Sequence, residues 1–348
     1  MRIHVLQLFV GDKLISDTYN SSGLHLLSAG TVLDSSDILM LNRHHVEYVS
    51  IEPRQDEAIP QNVNADIKAS PAQSLAFESA IQGIKSLFSN AGAGDTIVNE
   101  VIEKAFNPLI DSFQGEKDVV SLLLSLNSKD DYTYQHSVQV GMLSYYIAKW
   151  MGKSELEALH LGKSGYLHDI GKSRIDQNIL QKPGKLTSKE YDEIKKHTIY
   201  GYEILRSSLQ DTAMALAALQ HHERMDGSGY PLRKKDKEIH PFAQIVAVAD
   251  VYSAMICHRV YQQKRDLLIV LKELNRMSFG ELDPQITQVF IRQMIPNFIG
   301  KKVSLSDGRT GTIVMTNPSD FFKPLIRINQ EFFDLSQIGH VEITNIAM

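Results

Sequence analysis

The sequence is poor in the features that announce most functional classes. It has one cysteine, Cys257, among 348 residues, which excludes an intramolecular disulfide framework and any C-x-x-C structural zinc site. That usage fits a reducing compartment. No stretch approaches the roughly 18 consecutive apolar residues of a membrane span, and the first residues, MRIHVLQLFVGDKL, hold no long apolar run of the secretory kind. A cytoplasmic chain without membrane insertion is therefore expected. There is no dense Lys/Arg run and the formal net charge is −5, so the electrostatic footprint of polymeric nucleic-acid binding is missing. A small anionic substrate stays open, since a few local cations suffice for it. Internal repeats and low-complexity tracts are absent, and no heptad run demonstrates a coiled-coil homodimer.

What is present is a chain long enough for two or three domains, with 43% hydrophobic residues to bury a sizeable core. From residue 1 to 51 short apolar runs alternate with turn residues around one helical patch at 36–45, which predicts a small α+β module. Residues 52–71 carry three prolines and no apolar periodicity, a linker composition. From Pro71 the pattern becomes helical: connecting helices fill 72–116, and 117–298 reads as one helical domain. Helices are expected at 131–152, 154–169, 187–206, 211–224, 241–257, 265–278 and 283–295, among others. From 299 to 348 the apolar and polar residues alternate around the turn pair Asp307-Gly308, predicting a β-rich appendage.

Within the helical domain, five histidines and two aspartates stand in a fixed order: His136, His168-Asp169, His197, His221-His222 and Asp250. Imidazole nitrogens and carboxylate oxygens from separate segments are the donor set of a divalent transition-metal centre, and a carboxylate can bridge two ions. Taken singly, each has a plainer reading. His136 shares a helix face with Val140, Leu143 and Ile147 and alone would pass for a satisfied core histidine. His197 ends the charged stretch TSKEYDEIKKH and alone would pass for a helix C-terminal cation.

The company of the other motifs changes that weighting. In LHDIGK the helix carries His168 and Asp169 into its last turn and Gly171 stops it, leaving two polar side chains exposed at a helix end. In HHERMDGSGYP two histidines close an alanine-rich helix, and glycines in the following loop permit close approach to a ligand with Tyr230 at the loop tip. Asp250 interrupts the apolar IVAVADV, where an unpaired carboxylate would cost several kcal/mol and a cation resolves the cost. Lys172 and Arg259 are the cations placed to meet a phosphate. His160, His240 and His258 fit no ligand spacing.

HDIGK, the later His197, HHExxDGxGYP at His221 to Pro231 and the VADVY aspartate resemble the HD-GYP subgroup of the HD superfamily of metal-dependent phosphohydrolases, over about Lys117 to Met294. The N-terminal module resembles, more faintly, the small accessory domain that often precedes such units in bacterial signalling proteins. The resemblance implies a mainly α, helical HD-superfamily bundle and a bacterial phosphodiesterase opening cyclic di-GMP to pGpG, sometimes onward to GMP. It implies two divalent transition-metal ions, iron or manganese foremost, with nickel, cobalt or zinc as alternatives. His136, His168, Asp169 and Asp250 would hold one ion; His197, His221 and His222 would hold the other, bridged by Asp169. Asp169, Lys172, Tyr230 and Arg259 would be the residues at the chemistry, the last three facing the substrate phosphates.

Two positions depart from the fuller pattern. Some members carry Glu where this chain has Tyr132, so a two-ion rather than a three-ion centre is expected. Gln262 stands where a cation often follows, which bears on phosphate binding. The rival readings are a weak or inactive cyclic-dinucleotide-binding module signalling through a partner of the N-terminal domain, a phosphodiesterase for another cyclic dinucleotide such as cyclic GMP-AMP, and a different HD nucleotidase. Loss of metal ligands would favour the first, and none is lost; the DGSGYP loop speaks against the last.

Overall fold

The computed structural model describes residues 2–4, 8, 11–20, 23–34, 37, 40, 41, 44, 46, 48–52, 69–116, 119, 123, 126, 132–182, 186–257, 267–317 and 319–346. Contacts divide the chain into two compact units, Ile67–Phe290, and Met1–Asp66 together with Ile291–Met348. The protein is mainly α.

The first unit is built from helices α1 (Pro71–Ala93), α2 (Asn99–Ser112), α3 (Tyr132–Trp150), α4 (Glu155–Tyr166), α5 (Gln177–Leu180), α6 (Ser188–Lys195), α7 (His197–Leu209), α8 (Thr212–Gln220), α9 (Pro241–Cys257), α10 (Leu267–Met277) and α11 (Pro284–Met294), whose last turn passes the unit boundary. Local chemistry sets several of the starts. Ser70 with Gln73, Ser154 with Glu157 and Thr187 with Glu190 each form a reciprocal capping box, which pairs backbone N–H groups that would otherwise be orphaned. Pro71 sits at the first position of α1, where its missing N–H costs nothing.

α3 is buried on almost every side, as the central helix of a bundle must be. It packs against α4, α9 and α1, while α8 packs against α7, α9 and α4. This arrangement brings one end of α8 and the middle of α9 to the first turns of α3. Trp150 of α3 and Tyr252 of α9 meet Phe290 from two sides.

Three helix limits differ from expectation for reasons that matter at the site. The helix expected over 154–169 ends at Tyr166, and Ile170–Arg174 forms a separate 3₁₀ turn. The helix expected over 187–206 is two helices meeting at Lys196, so His197 opens α7 rather than closing a helix. The helix expected over 211–224 stops at Gln220, where the His221-His222 pair begins the following turn. Residues 117–127, where the same helical periodicity predicts a further helix, lie mostly outside the described residues.

In the second unit, β1 (Arg2–His4) pairs antiparallel with β4 (Tyr48–Ser50), and β2 (Thr18–Tyr19) with β3 (His25–Leu27). Leu14, Leu33, Leu41, Val49 and Ile51 form its small core with Leu8. The C-terminal strands β5 (Lys302–Leu305), β6 (Thr310–Met315), β7 (Leu325–Ile328), β8 (Glu331–Asp334) and β9 (Ile343–Ile346) make one antiparallel sheet in the order β8-β7-β6-β5-β9. Asp307-Gly308 turns the β5–β6 hairpin, Gly308 taking φ 85°. An ion pair between Asp17 and Arg327 ties the N-terminal segment to this sheet.

Candidate metal centre

Seven side chains from five segments of the helical unit converge. His136 comes from α3, His168 and Asp169 from the turn after α4, His197 from the start of α7, His221 and His222 from the end of α8, and Asp250 from α9. All but His222 are buried. His168 and Asp169, expected to be exposed at a helix end, are in fact sealed inside, because the 3₁₀ turn folds back against α7. Gly171 makes that possible: a Cβ there would stand 1.9 Å from the His197 carbonyl oxygen, so its role is close approach rather than stopping a helix.

The donor atoms fall into two groups. Asp169, His197, His221 and His222 form one, and His136, His168 and Asp250 the other, with the donors in each within 4.8 Å of one another. In the first, His197 Nε2 lies 3.4 Å from His221 Nε2 and 3.2 Å from Asp169 Oδ1. In the second, His136 Nε2 lies 3.0 Å from Asp250 Oδ1, and His168 Nε2 lies 3.9 Å from the same oxygen. Asp169 stands between them, with Oδ2 3.3 Å from His168 Nε2 and Oδ1 3.9 Å from His221 Nε2. Donors around one ion at bond lengths of about 2.0–2.2 Å sit roughly 3–3.5 Å apart.

The hydrogen bonds on the far side of each ring decide which nitrogen faces the cluster. His168, His197 and His221 donate Nδ1–H to the carbonyls of Gly165 (2.7 Å), Ile194 (2.7 Å) and Ala218 (2.9 Å), each three residues back. His136 donates Nδ1–H to Ser253 Oγ (2.9 Å), whose own proton goes to Gln139 Oε1 (2.9 Å). With Nδ1–H spent in this way, each of the four rings turns Nε2 toward the cluster, the nitrogen that carries the lone pair in the metal-binding tautomer. Lone pairs that face carboxylate oxygens across 3.0–3.9 Å repel unless a cation lies among them.

The electrostatics of the side chains alone are divided, His221 being held neutral while His168 is drawn toward its charged form. His168 Nε2 and Asp169 Oδ1 are buried atoms without a hydrogen-bond partner among the described residues, which is rare unless the group serves another purpose. Burial, together with His168 and His197 beside it, pushes His221 well below the usual histidine range, keeping its ring neutral. Burial pushes His168 down, but the Asp169 and Asp250 carboxylates outweigh it and leave it raised. Asp250, despite the opposing effect of burial, is held well below the usual carboxylate range by His136, His222 and His168. The donors therefore fit a borderline divalent cation of the kind that nitrogen and oxygen ligands take.

Around this core sit the groups that shape its mouth. Lys172 Nζ lies 2.5 Å from Asp169 Oδ2. Tyr230 is not at an exposed loop tip: its ring stacks on His222, centroids 4.6 Å apart and 26° from parallel. Burial, with Tyr191, Asp169 and Asp250 near, pushes its pKa up, so it remains a hydroxyl donor. The loop glycine at 229 serves the protein rather than a ligand, since a Cβ there would lie 2.4 Å from the His222 carbonyl oxygen. Arg259 and Gln262 lie outside the described residues, as does the side chain of Tyr132 at the start of α3.

Sequence reasoning missed three contributors. Buried Glu223 accepts the backbone N–H of Leu232 (2.7 Å) and Lys234 (3.0 Å), and so fixes the loop that lays Tyr230 on His222. Its place in HHE, directly after two ligand candidates, was the available signal. Ser253 and Gln139 carried none, because an apolar helix tolerates a small hydroxyl without comment. His160 pairs with Asp211 at 2.7 Å, and His240 accepts the Phe242 N–H; both belong to the scaffold.

Residues 120–286 match the HD domain, a span that contains all seven side chains. A cyclic di-GMP phosphodiesterase of Pseudomonas aeruginosa is 28% identical over 346 residues, covering 90% of this chain and 83% of that protein. A cyclic di-GMP phosphodiesterase of Thermotoga maritima is 39% identical over 178 residues, covering 50% of this chain and 48% of that one. The chain thus spans most of the first relative and about half of the second. Among solved structures, an HDG"Y"P protein of Bdellovibrio bacteriovorus superposes with a TM-score of 0.51 at 18% identity, covering 85% of this chain and 99% of that chain, a likeness of fold.

Proposed function

We propose that this chain, which carries an HD domain, is a phosphodiesterase that opens cyclic di-GMP to linear pGpG, and onward to GMP, with two divalent transition-metal ions. The observation that carries the reading is the set of Nε2 lone pairs, fixed from behind by backbone and Ser253 acceptors, aimed at two buried carboxylates. His136, His168 and Asp250 would hold one ion; His197, His221 and His222 would hold the other, with Asp169 joining them through its two oxygens. Ions held by these residues would supply Lewis-acid activation of a water and charge neutralisation for the diester.

The chain's own residues supply the rest. Lys172, at the opening beside Asp169, offsets charge that builds on the phosphate, and the Tyr230 hydroxyl donates to a phosphate oxygen. Arg259 takes a further phosphate oxygen in the same reading. The sealed walls keep bulk water from the bond under attack. The family resemblance favours iron or manganese, while the His/Asp donors accept nickel, cobalt and zinc as well. The relatives named for cyclic di-GMP support the substrate class, and the single cysteine supports a cytoplasmic setting.

The test is incubation of the purified, Fe(II)- or Mn(II)-loaded protein with cyclic di-GMP, products resolved by chromatography, with the His168→Ala/Asp169→Ala double variant as blank. pGpG that vanishes in the variant is expected. Faster turnover of cyclic GMP-AMP in parallel reactions would reassign the substrate. Binding of labelled cyclic dinucleotide without any product would replace the enzyme by a binding module.

A further inference from the structure

The exposure of the side chains shows where a substrate enters. His136, His168, Asp169, His197 and His221 are closed off, while His222 keeps 21% of its side chain exposed and Lys172 25%. Among the described side chains the more exposed ligand candidate is His222, and Tyr230 stacks on it. Lys195 lies against the same Tyr230 ring. Its ammonium stands 5.8 Å from the centroid of Tyr230 and 4.6 Å from that of Tyr191, a cation held near two aromatic rings. Such contacts orient an ammonium without discharging it.

Lys195 is also anchored from behind. It ends α6 two residues before His197, its carbonyl accepts the Thr198 hydroxyl (2.9 Å), and the neighbouring Ile194 carbonyl accepts His197 Nδ1–H. Its one ion-pair partner among the described residues is Asp192 at 2.9 Å, whose side chain is 69% exposed, and an exposed pair of this kind is weak. An ammonium has three donors, so two remain. The plain reading, a solvated lysine over an i−4 tyrosine, explains the Tyr191 contact and leaves the approach to Tyr230 at the site mouth as coincidence.

Resting on the proposed phosphodiesterase reading, we infer that Lys195, positioned by Tyr191 and Tyr230, is the subsite for the second, uncleaved phosphate of the cyclic dinucleotide. A ring with two phosphodiesters places its second phosphate outside the metal centre when the first is seated on it, one ribose away, where the Tyr230 and Lys195 side of the centre can meet it. Lys172 serves the seated phosphate and Lys195 the distant one. Tyr191, 48% exposed, acts through Lys195 as a positioning residue.

Steady-state kinetics on the metal-loaded full chain test this, with cyclic di-GMP and with bis(p-nitrophenyl) phosphate, a diester that has no second phosphate. Lys195→Ala is expected to raise KM for cyclic di-GMP roughly tenfold, the usual scale for losing one charge-assisted contact, with kcat within about twofold. Lys195→Arg should restore most of the KM, and turnover of bis(p-nitrophenyl) phosphate should stay at the wild-type level. An unchanged KM for cyclic di-GMP overturns the inference, as does an equal loss on both substrates, which would mean a disturbed centre. A wild-type protein that cleaves bis(p-nitrophenyl) phosphate but no cyclic dinucleotide overturns the parent reading and this one together.

Discussion

Asp17 in one unit and the Asp169–Asp250 pair in the other are buried carboxylates surrounded in different ways. In the sheet-bearing unit Asp17 is met by Arg327, by the Ala29 N–H at 2.7 Å and by the Tyr19 hydroxyl at 3.1 Å. Every partner is a donor, so the carboxylate is satisfied by the protein alone. In the helical unit Asp169 Oδ2 takes the Lys172 ammonium, but otherwise Asp169 and Asp250 are met chiefly by imidazoles whose Nδ1–H groups are spent elsewhere, and Asp169 Oδ1 has no hydrogen-bond partner among the described residues. A carboxylate faced by donors holds a fold together; a carboxylate faced by lone pairs asks for a cation. The direction of the surrounding N–H groups, not burial, separates structure from function here.

That contrast can be broken most forcefully at Asp169. Asp169→Ala is expected to lower cyclic di-GMP turnover by about three orders of magnitude or more, the scale of losing metal assistance worth several kcal/mol, and to release metal, as read by product chromatography and elemental analysis. Asp17→Asn should leave turnover of the folded protein unchanged. Equal losses of turnover in the two variants would erase the distinction.

The next effect concerns the groups behind the ligands. Ser253→Ala removes the acceptor that fixes His136, and metal affinity is expected to fall 10–100-fold, in line with other groups that orient metal-binding histidines; Ser253→Thr should retain most of it. Competition with a fluorescent chelator gives the number. A smaller effect is expected at Glu223. Glu223→Gln keeps the size of the side chain but only one good acceptor for the Leu232 and Lys234 N–H groups, so kcat/KM for cyclic di-GMP should fall about tenfold while metal content holds.

The smallest effect belongs to the sheet-bearing unit. Burial alone would raise the Asp17 carboxyl, but the Ala29 N–H, Arg327 and Tyr19 outweigh it and hold it below its ordinary value of 3.8. A depressed folded value stabilises the protein above the ordinary value and is lost as pH falls through the folded one. Asp17→Asn should therefore cost about 1–2 kcal/mol at neutral pH and flatten the loss of stability below about pH 4. Urea titrations of both proteins at neutral and acid pH measure the difference, and an unchanged acid limb would remove Asp17 from the account.

Some candidate ligands were legible in the sequence because they are chemically out of place, a carboxylate in an apolar helix and paired histidines before a glycine loop, while His136 and His197 were legible only in the company of the others. The helical fold was legible from periodicity. What escaped was non-local. That His197 opens α7 rather than ending a helix depends on the chain bending at Lys196 to let Gly171 touch the His197 carbonyl, a contact with no local signature. The burial of His168 and Asp169 follows from the same contact. The proton-spending acceptors behind the rings are mostly backbone carbonyls, which every sequence has, and the meeting of Asp17 with Arg327 joins distant parts of the chain.

The central claim is that lone pairs converge because divalent ions belong between them. Anomalous diffraction from crystals grown with Mn(II) or Fe(II) tests it most directly. Two peaks per chain are predicted, one within bonding distance of His136, His168 and Asp250, the other of His197, His221 and His222, with Asp169 touching both. A protein whose seven side chains keep these positions with no peak among them would contradict the account.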